Sequence, residues 1–214
     1  MREPRSPPGV IPLPPLVAGP EGRFADGPVR GAGGASHALS EGFWPAAVAC
    51  TLACVLRIAH ELVEAMVAHA RADHPDEACG IIAGPEGTGT PRRHVPMTNA
   101  ARSTTFYEFD AEEWKREYDR MWDNDEEVVV AYHSHTHTEA YPSRSDAGIA
   151  SDLGLPGAHY VLVTTKDPEI AEVRSFRIAG GEVTEEPIEV TGAPEAVQSY
   201  KFAHTPDSTV YDCS

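Results

Sequence analysis

His133 and His135 stand two residues apart, and Asp146 follows eleven residues later with Ser143 three before it. Residues two apart on a β-strand point to the same face. The run Glu127-Val128-Val129-Val130-Ala131-Tyr132 just ahead of them is rich in β-branched side chains and reads as a buried strand. Both imidazoles therefore leave the strand end on one side, able to hold one ion. Two neutral imidazoles and a carboxylate suit a borderline cation such as Zn2+. Three protein ligands leave a fourth position for water, which separates catalytic from closed structural zinc. The bland alternative is a pair of loop histidines lying near an acidic loop.

The surrounding residues add to the constellation. Ser143-Arg144-Ser145-Asp146 fits a capping box, in which a Ser hydroxyl caps a helix and an acid three residues on reaches back. The spacing predicts a short helix from about Ser143, with Asp146 in its first turn and the Ser143 hydroxyl facing the same pocket. Upstream, Glu77 stands at the entry to a second apolar strand, Cys79–Ala83. A carboxylate beside the water that such a metal activates is the usual general base for metal-assisted hydrolysis.

This set resembles the JAMM (JAB1/MPN/Mov34) metalloprotease family, whose pattern is Glu, then His-Ser/Thr-His, seven residues, Ser, two residues, Asp. Glu77, His133-Ser134-His135, Ser143 and Asp146 match it throughout. The segments 67–80, 96–100, 138–144 and 159–163 are similar to the small actinobacterial Mec-type members, and the likeness spans about residues 55–190. The resemblance implies an α/β fold, a mixed β-sheet packed with helices in a cytidine-deaminase-like α/β/α sandwich. It implies zinc held by His133, His135 and Asp146, with Glu77 as general base and Ser143 steadying the tetrahedral oxyanion. It also implies a substrate, a small ubiquitin-like sulfur-carrier protein bearing cysteine on its C-terminal glycine, with cysteine as the product. An isopeptidase acting on other ubiquitin-like conjugates, or a binding module without catalysis, stays open beside it.

Other zinc motifs fail on spacing. His60-Glu61-Leu62-Val63-Glu64 lacks the second histidine of the helical zincin motif. The deaminase signature needs His-x-Glu with a later Cys-x-x-Cys; His74-Pro75-Asp76-Glu77 is one residue too long, and no Cys-x-x-Cys occurs. His137 is read as a loop residue lining the cleft, since three protein ligands suffice. Ser134, between the ligands, is expected to point away from the metal and bond within the protein. His69, His94 and His159 have no partner at ligand spacing and are read as surface or structural.

Composition sets limits. The 214 residues carry 33 acidic and 17 basic side chains, a net charge of −16, which argues against nucleic acid as a partner. Four cysteines supply no disulfide framework at this length, and Cys79 is read as a buried packing residue. Reduced thiols and a thiol-bearing product suit a cytoplasmic setting. The apolar run 46–56 is too short to span a bilayer. Residues 1–50 are Pro/Gly-rich and expected to be a disordered leader, residues 55–190 the catalytic domain, and residues 191–214 a flexible tail. Oligomeric state is not legible.

The positioning elements follow from periodicity. Strands are expected at Val55–Ala59, Cys79–Ala83, His94–Met97, Thr105–Phe109, Glu127–His133, His159–Thr165, Glu172–Ile178 and Val183–Val190. A helix is expected over Glu61–Asp73. Asp110 caps another, with Glu113 completing the box and Trp114, Tyr118, Met121 and Trp122 as its apolar stripe.

Overall fold

The strand that carries the two histidines, β4 (Glu126–His135), runs through the middle of the sheet in the computed structural model, flanked by β2 (Cys79–Pro85) and β5 (His159–Thr164). The structure describes residues 55–155, 157–192 and 200–202. The expected leader over 1–50, the apolar residues 46–54 and most of the expected tail lie outside them. Outward from β2 lies β3 (Arg93–Met97), and outward from β5 lie β6 (Ala171–Ala179) and β7 (Glu182–Glu186). β2 pairs antiparallel with β4, whereas β4 and β5 are parallel. A parallel pair needs a crossover, here supplied by α3 (Arg144–Leu153). The sheet is therefore mixed, as expected.

Side-chain alternation along β4 divides the core between two faces. Val130 and Tyr132 pack with Val63, Met66 and Val67 of α1 (His60–Asp73). Ala131 turns to the opposite face, with Ala150 of α3. Cys79, Ile81 and Ala83 of β2 meet Trp114 and Met121 of α2 (Ala111–Asp123). One helix on one face and two on the other make an α/β/α sandwich. A bulge between Ile82 and Ala83 changes the register, which lets Val129 and Val130 both join the α1-side core.

Four local expectations change. Thr105–Phe109 forms no strand beyond an isolated Asn99–Phe109 bridge, because the Asn99 side chain takes the Phe106 carbonyl and the Glu108 amide. The expected strand Val183–Val190 breaks at Pro187, which has no N–H for a ladder. Its second half, β8 (Ile188–Thr191), leaves the main sheet and pairs parallel with β1 (Leu56–Ala59). Asp110 caps α2 as expected, accepting from the amides of Glu112 and Glu113. The Glu113 carboxylate, however, turns to the Thr98 amide and hydroxyl, so no box closes. Within the segment expected to be a flexible tail, β9 (Tyr200–Phe202) pairs parallel with β6 and buries Tyr200.

Candidate active site

His133 and His135 leave the end of β4 on the face that carries α3, and α3 brings Asp146 to them. Ser143 is the helix cap: its hydroxyl accepts the Asp146 amide, and the Asp146 carboxylate accepts the Ser143 amide at 2.6 Å. The box thus holds the carboxylate against the helix start with one oxygen turned to the histidines. His133 Nε2 lies 3.3 Å from His135 Nε2, and the Asp146 Oδ2 is 3.5 and 3.4 Å from them. Among the described residues these three form the one such cluster of metal-ligating side chains, and all are buried.

That triangle tests the fit of a metal. Zinc sits at roughly 2.0–2.1 Å from N and O donors in a tetrahedral site, which requires donor–donor edges of about 3.3–3.4 Å. The observed edges match. His135 Nδ1 donates to the Glu139 carbonyl at 2.7 Å, leaving Nε2 as the bare nitrogen facing the triangle, the usual outer support of a ligating histidine. Tyr107 stacks on the His133 ring, with centroids 4.3 Å apart and planes 21° from parallel. The residues present fit Zn2+.

The electrostatics are those of a buried donor set. Burial pushes the His133 pKa down and outweighs the pull of Asp146. Burial acts the same way on His135, but the Asp146 carboxylate and the Glu139 carbonyl reverse it, so its pKa is raised. Burial would raise Asp146, yet the two imidazoles hold it well below the usual carboxylate range.

Glu77 reaches this cluster through the sheet. Cys79 is the register partner of His133. The Ser134 amide bonds the Ala78 carbonyl and the Ala78 amide bonds the Ser134 hydroxyl, both at 2.8 Å. One step further along the same antiparallel pair sets Glu77 opposite His135, on the same face. Ser134 itself is buried and faces away, as its position between the ligands implied. No described residue hydrogen-bonds the Glu77 carboxyl. Burial pushes its pKa up to about 7, with His135 pulling down and Asp146 pushing up.

Two residues near the site were not legible as such. In the sequence Asn99 belongs only to the 96–100 stretch that carries the resemblance, and Tyr107 to the expected strand Thr105–Phe109. Asn99 bonds the Glu77 carbonyl and Tyr107 covers His133; neither position has a sequence period to announce it. His137 is exposed and bonds Thr136, outside the donor triangle. Of the histidines read as structural, His69 and His94 both bond the Tyr132 hydroxyl, and His159 pairs with buried Glu186. Cys79 is buried, and that burial drives its thiol pKa strongly upward.

A buried His-x-His pair at a strand end, an aspartate held in a capping box and an unpaired carboxyl beside them define a metal-dependent hydrolase on an α/β/α scaffold. The family model described as prokaryotic homologs of the JAB domain matches residues 59–179, and the chain belongs to the JAMM/MPN family. It is 60% identical over 136 residues to the CysO-cysteine peptidases of Mycobacterium tuberculosis and Mycobacterium bovis, covering 64% of this chain and 91% of theirs. It is 31% identical over 112 residues to a desampylase of Haloferax volcanii, covering 50% of this chain and 78% of that one. The solution structure of a Desulfitobacterium hafniense protein superposes with a TM-score of 0.57 at 28% identity, covering 66% of this chain and 96% of that one.

Proposed function

We propose that this chain is a zinc metallopeptidase that hydrolyses the amide joining cysteine to the C-terminal glycine of a small ubiquitin-like sulfur-carrier protein. The observation that carries the substrate is the 60% identity to CysO-cysteine peptidases over nearly their whole length. The donor triangle and Glu77 carry the chemistry.

Zinc, when bound, supplies a Lewis acid and an acidified water. His133, His135 and Asp146 hold it. Glu77, with a pKa near 7 and no partner for its carboxyl, takes the proton of the attacking water and returns it to the leaving amine of cysteine. Ser143 accepts the Asp146 amide, and its hydroxyl lies 2.8 Å from the Ser145 hydroxyl. When Ser145 donates in that pair, the Ser143 proton is free for the oxyanion that develops on the glycine carbonyl oxygen. A cysteine product stays reduced in the cytoplasm, the setting we assign.

The test is bound zinc together with release of free cysteine from a carrier–cysteine adduct, run beside the same carrier joined to a lysine side chain. Wild type should bind stoichiometric zinc and release cysteine. Glu77→Gln should keep the zinc and lose about 10²–10⁴ in kcat. Cleavage of the lysine conjugate alone would reassign the enzyme as an isopeptidase, and stoichiometric zinc with neither substrate cleaved would remove the enzyme assignment.

A further inference from the structure

The Glu77 main chain lies just outside β2, so the sheet ladder does not pair its polar groups. A backbone N–H and C=O so deeply placed need other partners, and one loop supplies both. The Glu77 amide donates to the Ser103 carbonyl at 2.8 Å. The Glu77 carbonyl accepts from the Asn99 side-chain nitrogen, also at 2.8 Å.

Asn99 is buried and spends its whole hydrogen-bonding capacity there. Its nitrogen also donates to the Phe106 carbonyl at 3.0 Å. Its oxygen accepts the amides of Ala101 at 3.0 Å and Glu108 at 3.1 Å. Two donors and two acceptor sites are the full inventory of an asparagine amide. The bond to Ala101 is the ordinary turn-forming contact of an asparagine, and a turn needs nothing more. The bond to Glu77 is a different matter, because it joins the loop to a residue more than twenty positions upstream. The far side of the loop is anchored as well, through the Thr104 carbonyl and the Thr136 hydroxyl one residue beyond His135.

We propose that Asn99 is a positioning residue for the general base: by holding the Glu77 carbonyl, its amide nitrogen fixes where the Glu77 carboxyl enters the metal cleft. The proposal rests on the reading of Glu77 as base. Asn99 hydrogen-bonds no metal ligand among the described residues; its bonds to Phe106 and Glu108 brace the loop around Tyr107, and its bond to the Glu77 carbonyl is the one that reaches the base. A small misplacement of a reacting group can cost about 10²-fold in rate, so the effect belongs in kcat.

The experiment is a double-mutant cycle on the full chain. Asn99→Asp keeps the shape and the acceptor oxygen but loses both N–H donors; Asn99→Ser is the second variant. Each is made in wild type and in Glu77→Gln, with zinc content, kcat, KM and the hydrogen-exchange rate of the Glu77 amide measured. In wild type, the Asn99 variants should lose roughly 10–10² in kcat, hold KM within about twofold, retain zinc and speed exchange at Glu77. In Glu77→Gln the same change should add less than about twofold, since coupled residues are not additive. An equal loss in both backgrounds, unchanged kcat, zinc lost in step with activity, or failure of both variants to fold would each overturn the proposal. Failure of the base reading itself is distinct, because it appears as undiminished activity in Glu77→Gln with Asn99 intact.

Discussion

The His135 Nδ1 lies 2.7 Å from the Glu139 carbonyl oxygen and 3.1 Å from the Thr138 hydroxyl. A turn of only four residues thus selects the tautomer that presents Nε2 to Asp146 and His133. Backbone provides the main contact, so side-chain substitution at Glu139 should leave zinc in place. His135→Ala removes one corner of the triangle and should strip the zinc and all activity together. Metal analysis after gel filtration distinguishes the two variants.

Ser143 serves the helix and the reaction with one hydroxyl. Ser143→Ala removes the side-chain acceptor for the Asp146 amide and should cost about 1 kcal/mol of stability, as other lost caps do. Its loss in kcat should be larger than that stability change explains. Chemical denaturation and steady-state kinetics on the same preparation separate the two effects. Ser145→Ala should lower kcat to a lesser degree, by leaving the Ser143 proton free to turn elsewhere.

On the other face of β4, Tyr132 bridges two imidazoles. His69 Nε2 lies 3.2 Å from Asp73, so neutral His69 donates there and accepts the Tyr132 proton at Nδ1, while Tyr132 accepts from His94 Nε2. Burial lowers the His94 pKa from 6.5 to about 4, with His69 pushing the same way. Between those values the unfolded chain binds a proton that the folded chain refuses. Stability therefore falls as pH drops through about 6.5 towards 4. Unfolding curves at stepped pH should show this slope in wild type and a shallower one in His94→Gln.

Gly80 backs onto the same tyrosine. A Cβ there would stand 2.5 Å from the Tyr132 hydroxyl oxygen and 2.6 Å from the Val95 carbonyl oxygen. The second contact is backbone and cannot swing aside. Gly80→Ala should destabilise the fold by about 1–3 kcal/mol or more, readable as a lowered thermal midpoint with zinc still bound below it.

The donors and the strand that carries them were legible because they obey short local rules. Period-two alternation set His133 and His135 on one face, and Ser143 with Asp146 announced their own helix start. What escaped was set by partners distant in sequence. Thr105–Phe109 has strand-like residues, but Asn99 and Thr136 claim its backbone groups or those just before it. Glu113 had the right spacing for a capping box, yet Thr98 offered two donors. Val183–Val190 reads as one strand until Pro187 divides it between two sheets. Tyr200 looks like a tail residue because its partners, His60 on α1 and β6, lie well upstream.

The pairing of β1 with β8 joins Leu56, in the first described strand, to Ile188 far along the chain. A chain made from its N-terminus cannot form that pair until almost all of it exists, whereas Glu77 through Asp146 are made well before. Contacts so far apart in sequence slow folding, since a long loop must close before they form. During synthesis the ligand-bearing strand is thus complete while its parallel neighbour β5 and, in the smaller sheet, β8 are still to come. Nascent chains arrested just short of Ile188 would show whether metal capture has to wait for β8.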